Sequence, residues 1–185
     1  VNGNKKLESE NCPPVTNSAY DFRMCSRHPG LKGKAILYGD SHAGAIYSEL
    51  SDALATHGID LVLLRNANKA RFNCEPMLGS FRYGKFVSEM KNWCAERALE
   101  IARIANRFGA ENLFVALRYT FRLFPATGSI ESLDYDNGEG GAGDESYRQY
   151  FVFGADNSVS FAANDKLAAT SAAFKSLIDE FRGRV

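Results

Sequence analysis

Apolar and polar positions along the chain change period several times, and each change marks an element. Ala35 to Tyr38 is a continuous apolar run, the pattern of a strand buried on both faces. From His42 to Thr56 the apolar residues Ala43, Ile46, Tyr47, Leu50, Ala53 and Leu54 recur at helical spacing, and Gly58 follows as a C-cap. Ile59 to Leu64 is a second apolar run and predicts a second strand. Asn66 to Tyr83 reads as loop. Lys85 to Phe108 predicts a long helix, with Met90, Trp93, the stem of Arg97, Ile101, Ile104, Ala105 and Phe108 on one stripe and Gly109 as its stop. Leu113 to Leu117 predicts a third strand. Strand and helix alternate throughout, which means a parallel sheet with helices on its faces, an α/β fold.

The pattern then loosens. Tyr119 to Gly143 is polar and ends in the glycine-rich "DNGEGGAGD". "YRQYFVF" and "SVSFA" flank Gly154 to Asn157 and read as a hairpin. Asn164 to Arg182 predicts a third helix with Leu167, Ser171, Phe174, Leu177, Ile178 and Phe181 inward, and "RGRV" reads as the start of a fourth strand. Residues 1–31 hold three of the five prolines and read as irregular.

Composition narrows the function classes. The 185 residues carry 22 basic and 22 acidic side chains, so the formal net charge is zero, which argues against a nucleic-acid partner. No apolar run approaches the roughly 18 residues of a membrane span, and the polar N-terminus has no signal-peptide core. The four cysteines, Cys12, Cys25, Cys74 and Cys94, allow three disulfide connectivities, a zinc site or free thiols. Neighbour pairing is favoured, because Cys12–Cys25 and Cys74–Cys94 would close short loops, each stabilising by ~3 kcal/mol. It carries with it an oxidising compartment.

Candidate chemistry lies in Gly39-Asp40-Ser41-His42, between the first strand and the first helix. Ligands of open parallel sheets bind beyond the C-terminal strand ends. A serine there meets the free N–H groups and the positive dipole end of a helix, which favour an oxyanion. A plain helix N-cap is the competing role for Ser41. The G-x-S-x-G elbow does not fit, since position 43 is Ala, and neither does a phosphate-binding loop.

"ILYGDSHA" resembles the first sequence block of the SGNH (GDSL-like) hydrolases. Cysteines on both sides of it, "NCEPMLG", "FVALRYTF" and the closing helix resemble one branch: the extracytoplasmic SGNH domain fused to membrane-bound acyltransferase-3 proteins, which O-acetylate bacterial surface sugars. The resemblance implies a three-layer SGNH/flavodoxin-like sandwich over residues 32–185, preceded by a cysteine-tethered arm at 1–31. It implies Ser41 as the acyl-accepting nucleophile, with its own N–H and that of Gly79 in the oxyanion hole. Asp40, His42 and Arg118 are implied as supporting residues. The family's asparagine after strand three is replaced here by Arg118 and Tyr119, and Asn164-Asp165 is a decoy that opens a helix. No metal and no cofactor are implied. The partners implied are an acyl donor, a carbohydrate acceptor and an upstream membrane acyltransferase domain, with the domain on the periplasmic face of the membrane.

The family takes its general base from a D-x-x-H motif, and the residues three before His28, His42 and His57 are Cys25, Gly39 and Leu54. The motif is absent from these residues. His42 adjoins Ser41 but points about 100° away on a helix. His57 falls at the far end of that helix, and His28-Pro29 in a tethered arm reads as structural. Truncation before the catalytic block is the economical expectation, with little serine-dependent turnover by this chain alone. The alternative is a catalytically inactive carbohydrate-binding or scaffolding domain, in which Tyr83, Tyr119, Phe121 and Phe124 stack on sugar rings or sit in the core.

Overall fold

A strand with four consecutive apolar residues has no face to give to water, and β2 (Gly33–Gly39) accordingly lies inside a sheet. Ala35, Ile36, Leu37 and Tyr38 are each 1% exposed or less. The computed structural model describes residues 12–18, 20, 22–39, 41–66, 81–82, 96–116, 150–153, 158–160 and 163–185. They fall in two compact units, Val1–Arg71 with Leu99–Leu117 and Ser176–Val185, and Phe72–Ala98 with Arg118–Lys175.

The first unit holds a four-stranded sheet of order β1-β3-β2-β5, formed by β1 (Phe22–Ser26), β2, β3 (Ile59–Asn66) and β5 (Asn112–Ala116). β2 runs parallel to β3 and to β5, so the three strands expected from the apolar runs form the parallel core in two-one-three order. Helix α1 (Ser41–Ala55) packs on one face, where Ala43 and Tyr47 meet Cys25, Ala35, Leu37, Leu61 and Leu63. On the other face Phe22 and Tyr38 meet edge to face at 6.4 Å. Gly58 ends α1 and Gly109 ends α2 (Arg97–Phe108), both at φ 75°. At Gly109 the N–H groups of Gly109 and Ala110 return to the carbonyls of Asn106 and Ala105, a Schellman cap.

Four expectations are corrected. The arm is not wholly irregular: β1 joins the sheet antiparallel to β3, pairing Cys25 with Leu63. Outside it, Met24 N–H bonds Pro13 O, Val15 N–H bonds Phe22 O, and a bridge joins Pro14 to Arg23. The three early prolines hid this, yet proline suits such an edge, because its missing N–H cannot template a further strand. The Cys12–Cys25 disulfide ties the ribbon down, and the Tyr47 hydroxyl donates to the Cys25 carbonyl at 2.7 Å. Within the expected 66–83 loop, Phe81–Arg82 is a strand.

Two helical stripes also depart in part from expectation, although Ala43 and Tyr47 are buried and Leu50 and Leu54 pack on the core as expected. In α1, Ile46 is 46% exposed while Ser51 is fully buried, and Ala53 is exposed. In α3 (Ala163–Glu180), Leu167 and Ile178 are each 52% exposed and Ser171 is exposed. Leu177 and Phe181 are buried as expected, and Lys166 and Thr170 are buried with them. Lys166 is buried along its whole length, so hydropathy alone misjudges which residues of α3 turn inward. In α2 the described part of the stripe agrees: Arg97, Ile101, Ile104 and Ala105 are buried, joined by Ala98 and Ala102, while Met90, Trp93 and the expected start at Lys85 lie outside the described residues.

The C-terminal residues join the sheet as expected. Asn112 bridges Arg184 in parallel, with Leu113 N–H bonded to Arg184 O and Arg184 N–H to Glu111 O. Asn106 steers that return: its Nδ2 donates to Glu180 O at 2.8 Å, and its Oδ1 accepts from Arg182 N–H at 3.0 Å.

In the second unit β4 (Phe81–Arg82), β6 (Tyr150–Phe153) and β7 (Val159–Ser160) form an antiparallel sheet of order β4-β6-β7, and β6 and β7 are the expected hairpin. Among the described residues no helix is long and apolar enough to cross a membrane.

The N-terminal ends of the strands are fastened by a buried carboxylate. Asp60, 2% exposed, accepts from Ser26 Oγ at 2.6 Å and faces Lys34 Nζ at 3.5 Å. The same ammonium lies 5.1 Å from the centre of the Phe108 ring, so one charge pair links β1, β3, β2 and the end of α2. Asp60→Ala strands Lys34 and Ser26 together; urea titration should show a loss of about 2–3 kcal/mol.

Candidate active site

The corner is set by a close approach of backbones. β2 ends at Gly39 and α1 begins at Ser41. A Cβ on Gly39 would run into the Ala116 carbonyl oxygen on β5 and stand 2.7 Å from the Ala43 methyl on α1. Only glycine lets the central strand, its neighbour and the new helix converge here. Ser41 therefore opens α1 at the C-terminal end of the central parallel strand, where the helix's first N–H groups have no partner within the helix. The first turn of α1 carries no acidic residue to offset the positive dipole end.

His42 is exposed on that same turn. Asp40, Gly79, Arg118 and the cysteines of the expected Cys74–Cys94 bridge lie outside the described residues, as do Tyr83, Tyr119, Phe121 and Phe124. The expected Cys12–Cys25 bridge is present, at the far edge of the sheet. Asn164 and Asp165 sit in the first turn of α3, as a helix opening. Among the described residues no group of three or more His, Cys, Asp or Glu side chains gathers as a metal site.

The histidines separate clearly. His28 Nε2 lies 2.8 Å from Asp52 Oδ1, and Arg27 donates from Nε to Oδ1 at 3.2 Å and from Nη2 to Oδ2 at 3.4 Å. This resembles half of a catalytic dyad, but Asp52 is eleven residues beyond Ser41 on α1, about 16 Å along the axis. His28 thus serves to fasten the turn after β1 to the outer face of α1. His57 is sixteen residues from Ser41, about 24 Å. His42 is the histidine nearest the corner in the chain. No local pattern revealed the His28–Asp52 pair, since its members are 24 residues apart.

The His28 hydrogen bond first, then that from Arg27, holds the Asp52 carboxyl below the usual carboxylate range. A depressed carboxylate adds stability above its unfolded pKa and loses it as pH falls through its folded one. Asp52→Asn should therefore lower Tm slightly at neutral pH, and the difference from wild type should close as pH falls through the lowered pKa of the Asp52 carboxyl. A gap that persists unchanged in acid would sink this account.

Two glycines flanking Ser41 should respond with opposite sign. Gly39→Ala must displace the Ala116 carbonyl and should cost about 1–3 kcal/mol. A Cβ on Gly44 meets nothing within 4 Å, so Gly44→Ala should stabilise α1 by about 0.5–1 kcal/mol. Thermal and urea unfolding of both variants measure this directly.

A family model described as an SGNH domain (fused to AT3 domains) matches residues 11–184. No curated protein and no solved structure matches the chain. The family match supports a domain of hydrolase or acyltransferase type.

Proposed function

Because the chain belongs to the family of SGNH domains fused to AT3 domains, we propose that it handles an acyl group through Ser41. Ser41 Oγ attacks the carbonyl of an acyl donor, its proton passes to a base, and the donor's leaving group departs. A sugar hydroxyl then attacks the acyl-serine, which returns Ser41 and leaves an ester on a cell-envelope carbohydrate. Water in place of the sugar makes the same site an esterase. The backbone N–H of Ser41 and that of Gly79 would hold the oxyanion, with Asp40, His42 and Arg118 in support. The domain would work with a membrane acyltransferase domain, on the extracytoplasmic side, where the Cys12–Cys25 disulfide persists.

The observation that carries this reading is the serine at the strand-to-helix corner, held there by a glycine that admits no side chain. A second reading, a non-catalytic carbohydrate-binding or scaffolding domain, draws on one observation too. D-x-x-H is absent from the sequence, and the histidine–aspartate pair that the structure does show, His28 with Asp52, lies far along α1 from Ser41.

Incubation with p-nitrophenyl acetate, followed by peptide mass analysis, separates the two. One acetyl group should appear on the peptide holding Ser41, and Ser41→Ala should remove it. His28→Ala should leave the labelling rate unchanged. Equal labelling with and without Ser41 would favour the binding domain.

A further inference from the structure

Two arginines face each other at the Ser41 end of the sheet. Arg23 on β1 and Arg65 on β3 are direct cross-strand partners in the antiparallel ladder. The preceding pair on the same face, Cys25 and Leu63, belongs to the cluster under α1, so the arginines lie on the α1 face, one step nearer the C-terminal end of the parallel strands. Both are exposed. β2 and β3 pair Tyr38 with Leu64, which sets Gly39 level with Arg65, about 5 Å away in the next strand. Ser41 follows two residues later.

Such a pair is unfavourable by itself. Like charges directly opposed across strands repel, and among the described residues no carboxylate pairs with either arginine. Arg23 Nη1 donates to the Cys12 carbonyl oxygen at 3.4 Å. The chain is neutral overall, so the pair is a local concentration of charge and not part of a general basic field. Two guanidinium forks within reach of one another match a compact oxyanion, and the positive end of α1 adds to them.

We infer that Arg23 and Arg65 form a subsite for the carboxylate or phosphate of an acidic sugar, holding it beside the Ser41 corner. This rests on the proposal that a glycan acceptor is handled there. The arginines would set which glycan is chosen and take no part in the bond-making step.

Isothermal titration of the whole chain tests it. Hyaluronan tetrasaccharide should bind about tenfold more tightly than its carboxyl-reduced counterpart, the scale of a charge-assisted hydrogen bond. Mannose 6-phosphate against mannose is the second arm, and the arm with the arginine-dependent gain names the oxyanion. Arg23→Ala and Arg65→Ala should each erase the gain, and Arg65→Lys should keep part of it. Lys32→Ala, which removes an exposed charge just before β2 at the opposite end of the sheet, should leave the gain intact. Arg65→Thr should also raise Tm slightly, where a merely structural arginine would lower it. No gain in either arm, or equal loss with Lys32→Ala, overturns the inference. So does arginine-dependent binding to phosphatidylglycerol vesicles without sugar selectivity. Acid-selective binding without Ser41-dependent acetylation would sink the proposed function alone; the converse would sink the subsite alone.

Discussion

At Gly39 the end of the central strand runs against the Ala116 carbonyl on one side and the Ala43 methyl on the other, leaving no volume for a side chain. This packing fixes where β5 ends, how α1 leaves the sheet and where Ser41 stands. A corner built this way is rigid, because interiors at near-crystalline density shift only at a cost. The chemistry proposed for Ser41 needs that rigidity, since an oxyanion hole works by donors held in place before charge develops. The Gly39 of the "GDSH" block is thus a packing requirement first, and a catalytic signature only because the packing aims the next residues.

The rest of the first unit protects that corner by closing the sheet's edges. On the β1 side, Pro13 and Pro14 pair with one face of the strand and offer no N–H outward, while Cys12–Cys25 and the Tyr47 hydroxyl hold the ribbon against α1. On the β5 side, Gly183 makes the analogous close approach: a Cβ there would stand 2.5 Å from the Glu111 carbonyl oxygen. That lets Arg184 reach Asn112, with Asn106 directing the chain out of α3.

Charge is divided by position in a chain with no net charge. Asp60 and Lys34 spend theirs at the N-terminal ends of the strands, where burial makes the pair structural. Asp52 collects Arg27 and His28 on the outer face of α1, in the last turn of the helix. Arg23 and Arg65, which have no carboxylate partner among the described residues, sit at the end where ligands of parallel sheets bind. Solvent-exposed pairs contribute little to stability, so this distribution bears more on recognition than on folding.

The sequence by itself determined the parallel core, because runs such as Ala35–Tyr38 and Ile59–Leu64 can be satisfied only by burial on both faces. It also determined both helix stops at Gly58 and Gly109, the β6–β7 hairpin, the return of residues near Arg184 to the sheet, and the serine's place between strand and helix. These are local properties, written in periods of two and 3.6 and in glycine's tolerance of positive φ. Tertiary structure decided the rest. Whether Phe22–Ser26 became a strand depended on the open edge of β3, which lies far away in sequence. Whether Leu167 or Lys166 turned inward depended on the surface each met, not on hydropathy. His28's partner, Asp60's partners and the apposition of Arg23 with Arg65 all join residues more than twenty positions apart. Pairings of that kind are fixed by strand register and helix placement, and register is a property of the assembled sheet, which no single stretch of chain contains.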